Sequence, residues 1–374
     1  MNIVFAGGGT GGHLYPALAI ANGLKKLAAK AVVPLRISFM GNADRLEATI
    51  VPRAGYPLFC IPSRPLQRQL SLDTFGTIVI NVYGVARAIR GLRKARPNVV
   101  IATGGYVSFP VVAAARLLCA LKISRAHIAL LEINAYPGLT NRLLAPLVDE
   151  VWGAFETAAS FFGSKFYRTG IPVRAGLNDA DRTEAFTRFE LDPRKKTILV
   201  MGGSQGARSI NQAVVDLVTY RNLPDNWQIL HVTGERDFQW VKAQERDAAQ
   251  GNIVRLVSYL HDLAAAYAAA DIVVSRAGAS TLGELAFTGT PSVLVPYPFA
   301  AEKHQSANAD VFARSGAART IEDGTLSGDV LFHVIADCLA PETLRSMRAA
   351  ANALSPPDPI DKILLRIAAL ARRG

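Results

Sequence analysis

Cysteine is scarce in this chain. The three cysteines among 374 residues, Cys60, Cys119 and Cys338, lie far apart with no C-x-x-C spacing. That pattern argues against a disulfide framework or a zinc site and reads as buried cytosolic thiols. Long apolar runs are missing too. The longest uncharged stretch, residues 97–115, is broken by Gly104, Gly105, Ser108 and Pro110, which fits a buried strand, a tight turn and a helix start rather than a membrane span. No basic segment followed by an apolar run and a cleavage site precedes the first strand, so a secretory signal is not expected and the chain is expected to stay in the cytoplasm. No low-complexity tract appears. The one Asp-x-Asp match, Asp179-Ala180-Asp181, falls in a polar connecting stretch rather than at a strand end.

What is present is a globular balance, with 50% apolar and 19% charged residues, in a chain longer than one core usually supports. Two domains are therefore expected. The net charge of +11 suits an acidic partner, whether nucleic acid, anionic lipid or a phosphorylated substrate, or else simply a basic soluble surface.

The chain makes the same strand, glycine turn and helix twice. Asn2–Ala6 leads into Gly7-Gly8-Gly9-Thr10-Gly11-Gly12-His13, and Thr197–Met201 leads into Gly202-Gly203-Ser204-Gln205-Gly206. Such a unit turns backbone N–H groups and the positive end of a helix toward one point, which suits a phosphate. Short apolar strands alternate with helices throughout, the pattern of parallel sheets with crossover helices. Strands are expected near Asn2–Ala6, Leu35–Met40, Leu58–Ile61, Val99–Ala102, Ala126–Leu131 and Glu150–Trp152. In the second half they are expected near Thr197–Met201, Gln228–Val232, Ile253–Leu256, Ile272–Ser275 and Ser292–Val295. A linker is placed within 170–181, punctuated by Gly170, Pro172, Gly176 and Asn178. An amphipathic helix is expected over 360–372, after Pro356, Pro357 and Pro359.

Gly7, Gly9 and Gly12 satisfy G-x-G-x-x-G, so a nicotinamide or flavin enzyme is considered first. That fingerprint also expects an acid at the end of the second strand, where this chain reads Phe39-Met40-Gly41. His13 opens the first helix, whose positive end favours a neutral ring able to accept a proton. Alternatively the ring only ties the glycine loop together. The segment Ser275–Glu284 follows another strand. Its small residues would let a diphosphate approach the backbone, and Glu284, placed about one turn into the helix, would accept hydrogen bonds from both ribose hydroxyls. The plainer reading makes Ser280 a helix cap and Glu284 a first-turn acid.

As an ordered set, GGGTGGH (7–13), TGGYVSFP (103–110), LEINAYPGLTN (131–141), TGIPVR (169–174), GGSQGAR (202–208), SRAGASTLGE (275–284) and HQSANA (304–309) resemble the MurG family of glycosyltransferases over nearly the whole chain. The resemblance implies an α/β GT-B fold with two Rossmann-like domains facing across a cleft. It divides the chain into an acceptor-side domain at 1–170, a UDP-GlcNAc domain at 171–355 and a C-terminal helix at 356–374 that packs back on the first domain. It implies inverting transfer of GlcNAc from UDP-GlcNAc to the MurNAc C4 hydroxyl of lipid I, giving lipid II for peptidoglycan and so serving cell shape and division. No cofactor and no metal are implied.

Carried over by residue, the resemblance gives His13 as the base and Glu132 as a second candidate or a structural acid. UDP-GlcNAc contacts fall to Thr10, Gly11, Gly12, Asn134, Arg174, Ser204, Leu260 through its backbone, Ala279, Ser280, Thr281, Leu282, Gly283, Glu284 and Gln305. Four positions depart from the family pattern: Leu131 and Ile133 around Glu132, Phe109, and Ile171. The implied partners are lipid I and an anionic membrane surface, with room for cell-wall synthesis or division proteins and no nucleic acid. The implied place is the cytoplasmic side of the bacterial inner membrane, held peripherally. A stripe of Leu72, Phe75, Ile78, Val79, Val82 and Tyr83, flanked by Arg64, Arg68, Arg87, Arg90, Arg93, Lys94 and Arg96, is either the membrane dock or the buried face of a crossover helix. A diacylglycerol glycosyltransferase or a sugar-nucleotide epimerase would share the UDP site. The nicotinamide oxidoreductase and a basic nucleic-acid-binding protein stay open as readings from other classes.

Overall fold

The computed structural model describes residues 1–65, 72–203, 206–220, 223–248, 253–355 and 358–371. The chain separates into two compact units, Met1–Ala175 with the C-terminal segment, and Gly176–Pro356. The first holds strands β1 (Asn2–Gly7), β2 (Arg36–Gly41), β3 (Leu58–Cys60), β4 (Val99–Gly104), β5 (His127–Glu132), β6 (Glu150–Gly153) and β7 (Phe166–Arg168). Its helices are α1 (Gly11–Ala31), α2 (Leu46–Arg53), α3 (Leu72–Ala95), α4 (Ser108–Ala120), α5 (Leu139–Leu144) and α6 (Ala159–Phe162), joined by the C-terminal helix Pro359–Ala371.

The strands pair in the order β3-β2-β1-β4-β5-β6-β7, and the pairs are parallel. Residues on both faces of the central strands are buried, as with Ile3 through Ala6 and Val99 through Ala102. Continuous apolar runs are what a parallel sheet covered by helices on both sides requires. The winding reverses between β1 and β4, and ligand sites in doubly wound sheets form at the carboxyl ends of strands flanking such a reversal. A Cβ on Gly7 would lie 2.0 Å from Thr103 Oγ1, so only glycine lets the two strand ends approach there.

The C-terminal helix is pinned to this unit. Ile363 and Ile367 are fully buried, and a Cβ on Gly23 of α1 would meet Ile360 Cγ2 at 2.7 Å. Arg366 Nε donates to Glu150 Oε2 at 2.8 Å, and the same carboxylate oxygen accepts from Trp152 Nε1 at 3.0 Å.

The second unit repeats the plan with β8 (Lys196–Met201), β9 (Trp227–Val232), β10 (Ile253–Val257), β11 (Ile272–Ser275), β12 (Ser292–Leu294) and β13 (Ala318–Thr320). These are ordered β10-β9-β8-β11-β12-β13, with the reversal between β8 and β11. Its helices are α7 (Arg182–Arg188), α8 (Arg208–Tyr220), α9 (Glu235–Ala248), α10 (Leu263–Ala269), α11 (Ala279–Thr288), α12 (His304–Arg314), α13 (Gly328–Leu339) and α14 (Pro341–Leu354), so that the C-terminal helix is α15. Ile210, Ala213, Val214, Leu217 and Val218 give α8 a buried stripe at helical spacing. Asp179-Ala180-Asp181 ends in a helix cap, with Asp181 accepting from Thr183 N at 2.8 Å and Glu184 N at 3.0 Å.

Candidate active site

In the first unit the glycine loop runs from the end of β1 into α1. Gly9 adopts φ +83°, Thr10 is the extended N-cap, and α1 begins at Gly11. His13 is therefore the third residue of the helix. Its Nδ1 lies 2.8 Å from the Thr103 carbonyl oxygen. A carbonyl only accepts, so Nδ1 carries the proton and the lone pair of the neutral ring sits on Nε2. Gly104 and Gly105 have φ of +96° and +78°. A Cβ on Gly104 would lie 2.6 Å from His13 Nδ1, and one on Gly105 2.5 Å from Gly8 O. The two glycines after β4 thus make room for the imidazole and for the glycine loop.

An acid does reach the end of β2, from α2. Glu47 is fully buried, with Oε1 accepting from Asn42 N at 2.9 Å and Oε2 from Gly9 N at 3.0 Å. Both oxygens face backbone N–H groups instead of offering themselves to a ribose, so Glu47 does not supply the acid that the dinucleotide reading lacks in sequence. Its position six residues beyond the strand hid it from a fingerprint read by spacing.

Glu132 ends β5 and is buried. Its Oε1 accepts from Asn134 N at 2.9 Å and Asn134 Nδ2 at 3.1 Å, and its Oε2 from Asn141 Nδ2 at 2.8 Å and Gly138 N at 3.3 Å. Burial pushes its carboxyl pKa up, while these hydrogen bonds pull the other way. The acid organises the loop from Ile133 to Gly138. Leu131, Ile133 and Ile171 are buried, and Phe109 packs against the core of the first unit, so the four departures from the family pattern serve packing. Arg174 is exposed.

In the second unit, α11 starts at Ala279 behind Gly278, which has φ −68° and ψ 139° and no side-chain cap. Ser280 is therefore inside the first turn, not the cap. Its Oγ is buried without a hydrogen-bond partner, next to the N–H groups that any helix leaves unpaired in its first turn. Glu284 falls at the start of the second turn, about one turn into the helix, and is not the first-turn acid of the plainer reading. It is 8% exposed and accepts from Tyr267 Oη at 3.1 Å through Oε2. Leu282 and Gly283 are buried, Ala279 nearly so, and Thr281 is half-buried.

Asn308 Nδ2 donates to Ala277 O at 3.3 Å, tying α12 to the turn after β11. Gln305, one turn earlier on α12, accepts from Tyr297 N at 2.9 Å through Oε1. Leu260 is buried just ahead of Asp262, the N-cap of α10. Ser204 lies outside the described residues, as do Arg68 and the side chain of Leu72.

Arg276 was quoted in the sequence motif without a role. Its guanidinium donates to Asp323 Oδ1 at 2.5 Å, Ser209 Oγ at 2.9 Å, Val295 O at 3.2 Å and Pro296 O at 3.4 Å. It joins the turn after β11 to the first turn of α8 and to the loop after β12. Five donors in a planar fork suit this bridging.

Two parallel Rossmann-like sheets, each opening on glycine turns at its winding reversal, are the fold of a GT-B glycosyltransferase. Residues 3–152 match the model of the glycosyltransferase family 28 N-terminal domain, and residues 197–363 that of its C-terminal domain. The chain is 41% identical to the UDP-N-acetylglucosamine--N-acetylmuramyl-(pentapeptide) pyrophosphoryl-undecaprenol N-acetylglucosamine transferase of Desulforamulus reducens, covering 97% of each chain. It is 42% identical to the enzyme of the same name from Moorella thermoacetica, again over 97% of each. The crystal structure of Acinetobacter baumannii MurG superposes with a TM-score of 0.78 at 26% identity, covering 98% of both chains. The chain belongs to the MurG family of glycosyltransferases.

Proposed function

We propose that this protein transfers GlcNAc from UDP-GlcNAc to the MurNAc C4 hydroxyl of undecaprenyl-pyrophosphoryl-MurNAc-pentapeptide, lipid I, with inversion at the anomeric carbon. The observation that carries the reading is the likeness, near 40% identity over 97% of the chain, to enzymes bearing that name. In a single displacement the acceptor oxygen bonds to the anomeric carbon, the bond from that carbon to the UDP oxygen breaks, and the hydroxyl proton passes to His13 Nε2. The Thr103 carbonyl fixes the tautomer and stabilises the imidazolium that forms.

The departing diphosphate gains negative charge. It is met by the first-turn N–H groups of α11, by the Ser280 hydroxyl and by the Arg174 guanidinium. Glu284, oriented by Tyr267, takes the ribose hydroxyls, and the Leu260 backbone meets the uracil. Gln305, its Oε1 engaged by Tyr297 N, turns its amide nitrogen to a sugar hydroxyl or phosphate. Thr10, Gly11, Gly12, Asn134 and the Ser204 turn complete the donor contacts. Glu132 shapes the loop that carries Asn134 instead of serving as the base, because its oxygens are filled by four donors.

The acceptor's polyprenyl chain stays in a bilayer, and no helix among the described residues is long and apolar enough to cross one. The enzyme therefore docks from the side, on the cytoplasmic face of the inner membrane. In α3 the face carrying Thr74, Thr77 and Ala88 is buried, whereas Phe75, Ile78, Val79, Val82 and Tyr83 are between 48% and 71% exposed. The stripe is thus not the buried side of a crossover helix. With Arg64 before it and Arg87, Arg90, Arg93, Lys94 and Arg96 after it in the chain, the stripe suits an anionic headgroup layer. Supplying UDP-GlcNAc with a lipid I analogue, with diacylglycerol, or with no acceptor tests the assignment. Product is expected with the lipid I analogue alone, and transfer to diacylglycerol would favour a different GT-B enzyme.

A further inference from the structure

One buried acid has no part in that chemistry. Glu47 carries a carboxylate held by two backbone N–H groups, those of Asn42 and Gly9. Space for it is made by missing side chains: a Cβ on Gly8 would lie 2.2 Å from Glu47 Oε1, and one on Gly41 2.6 Å from Glu47 Cγ. Three segments, the end of β2, the start of α2 and the glycine loop, are fitted around one carboxylate. Burying a charge in this way is costly unless its hydrogen bonds are good. One of the two N–H groups that Glu47 holds is that of Gly9, which has φ +83° and stands directly before the N-cap of the helix that carries His13.

We infer that Glu47 is a positioning residue for transfer. By holding the peptide between Gly8 and Gly9 it fixes the first turn of α1, and with it the ring whose other anchor is the Thr103 carbonyl. The inference rests on the reading of His13 as the base. Two substitutions perturb the contact from opposite sides. Glu47→Gln keeps the shape but offers one acceptor and one donor, so one of the two N–H groups meets another N–H. Gly8→Ala keeps the acid and puts a methyl where its oxygen sits.

Kinetics of the full chain with UDP-GlcNAc and a lipid I analogue, run well below each variant's Tm, test this. A displacement of about 1 Å costs up to roughly 100-fold in turnover, so E47Q and G8A are each expected to lose roughly 10- to 100-fold in kcat. The fall in kcat should exceed any rise in the KM for UDP-GlcNAc, because the base acts only in the transition state while Thr10, Gly11 and Gly12 share the donor contacts with the second unit's residues. The double variant H13A/E47Q is expected to fall no lower than H13A, since residues acting as one unit are non-additive. Turnover of E47Q and G8A at the wild-type level, with H13A inactive, overturns the positioning role alone. A further drop in H13A/E47Q beyond H13A shows that Glu47 acts apart from His13 and also overturns it. Wild-type turnover in H13A itself overturns the base assignment, and the inference with it.

Discussion

Behind the glycine loop that follows β1 lies a carboxylate, Glu47, bonded to Gly9 N. At the turn that follows β11 lies a guanidinium, Arg276, bonded to the carbonyls of Val295 and Pro296. Both turns lead from a parallel strand into a helix at a winding reversal, and both direct the positive end of that helix outward. The buried charge differs. In the first unit one loop N–H, that of Gly9, is spent on an acid and is not available to a diphosphate. What the first turn of α1 presents is an imidazole with its proton assigned. In the second unit the guanidinium is paired with Asp323, so among the described residues no unpaired negative charge lies behind the turn, and the Ser280 hydroxyl is buried in the first turn of α11 without a hydrogen-bond partner. On the proposed reading the same local device serves proton transfer in one unit and anion binding in the other.

Removing the imidazole should break the first half of this comparison with the largest effect. His13→Ala is expected to lower kcat by roughly 10²–10⁴, measured with a lipid I analogue at saturating donor. Glu284→Ala acts on the second half. Losing two ribose hydrogen bonds to a charged group should cost roughly 2–4 kcal/mol in kcat/KM for UDP-GlcNAc, more than the fall in stability from taking this acceptor away from the Tyr267 hydroxyl. Donor kinetics at the wild-type level would place the nucleotide elsewhere.

A finer probe of the second unit is Ser280→Ala. The hydroxyl bonds nothing in the protein, so its removal should leave thermal stability within about 0.5 kcal/mol while weakening UDP by roughly 0.5–1.5 kcal/mol in calorimetry. Loss of stability without loss of affinity would make it a packing residue. Smallest per residue is the membrane term. Reversing Arg87 and Arg90 to Glu should weaken co-sedimentation with anionic vesicles by about 1 kcal/mol for each cation removed, with neutral vesicles unaffected. Binding indifferent to both lipid charge and these substitutions would exclude α3 as the dock.

Much of this architecture is legible in the sequence because parallel strands buried on both faces are continuous apolar runs. Each run expected as a strand forms one. Two strands escaped notice, Phe166–Arg168 and Ala318–Thr320. Both are three-residue edge strands, and Tyr167, Arg168, Arg319 and Thr320 are exposed, so neither has room for a pattern. For the helix after β11 the plainer reading, with Ser280 as the cap, does not hold, because the cap is Gly278. Glycine caps a helix without leaving a side-chain signal.

The site was legible where chemistry is local, and hidden where it depends on folding back. His13 stands out beside its glycines, but the Thr103 carbonyl that sets its tautomer is 90 residues away. Glu47 is displaced from the strand end onto a helix, and nothing in linear spacing shows that this helix returns to the loop. The four departures from the family pattern, Leu131, Ile133, Phe109 and Ile171, are all apolar. They lie in or against the core, where an apolar residue costs nothing and a polar one would need a partner.

The division of labour between the units is tested most directly by measuring UDP affinity and turnover on the same preparations of H13A and E284A. The account predicts that H13A binds UDP within about twofold of wild type while its turnover collapses, and that E284A loses UDP affinity. If H13A loses UDP binding together with turnover, His13 serves the nucleotide site and not proton transfer alone, and the division is wrong.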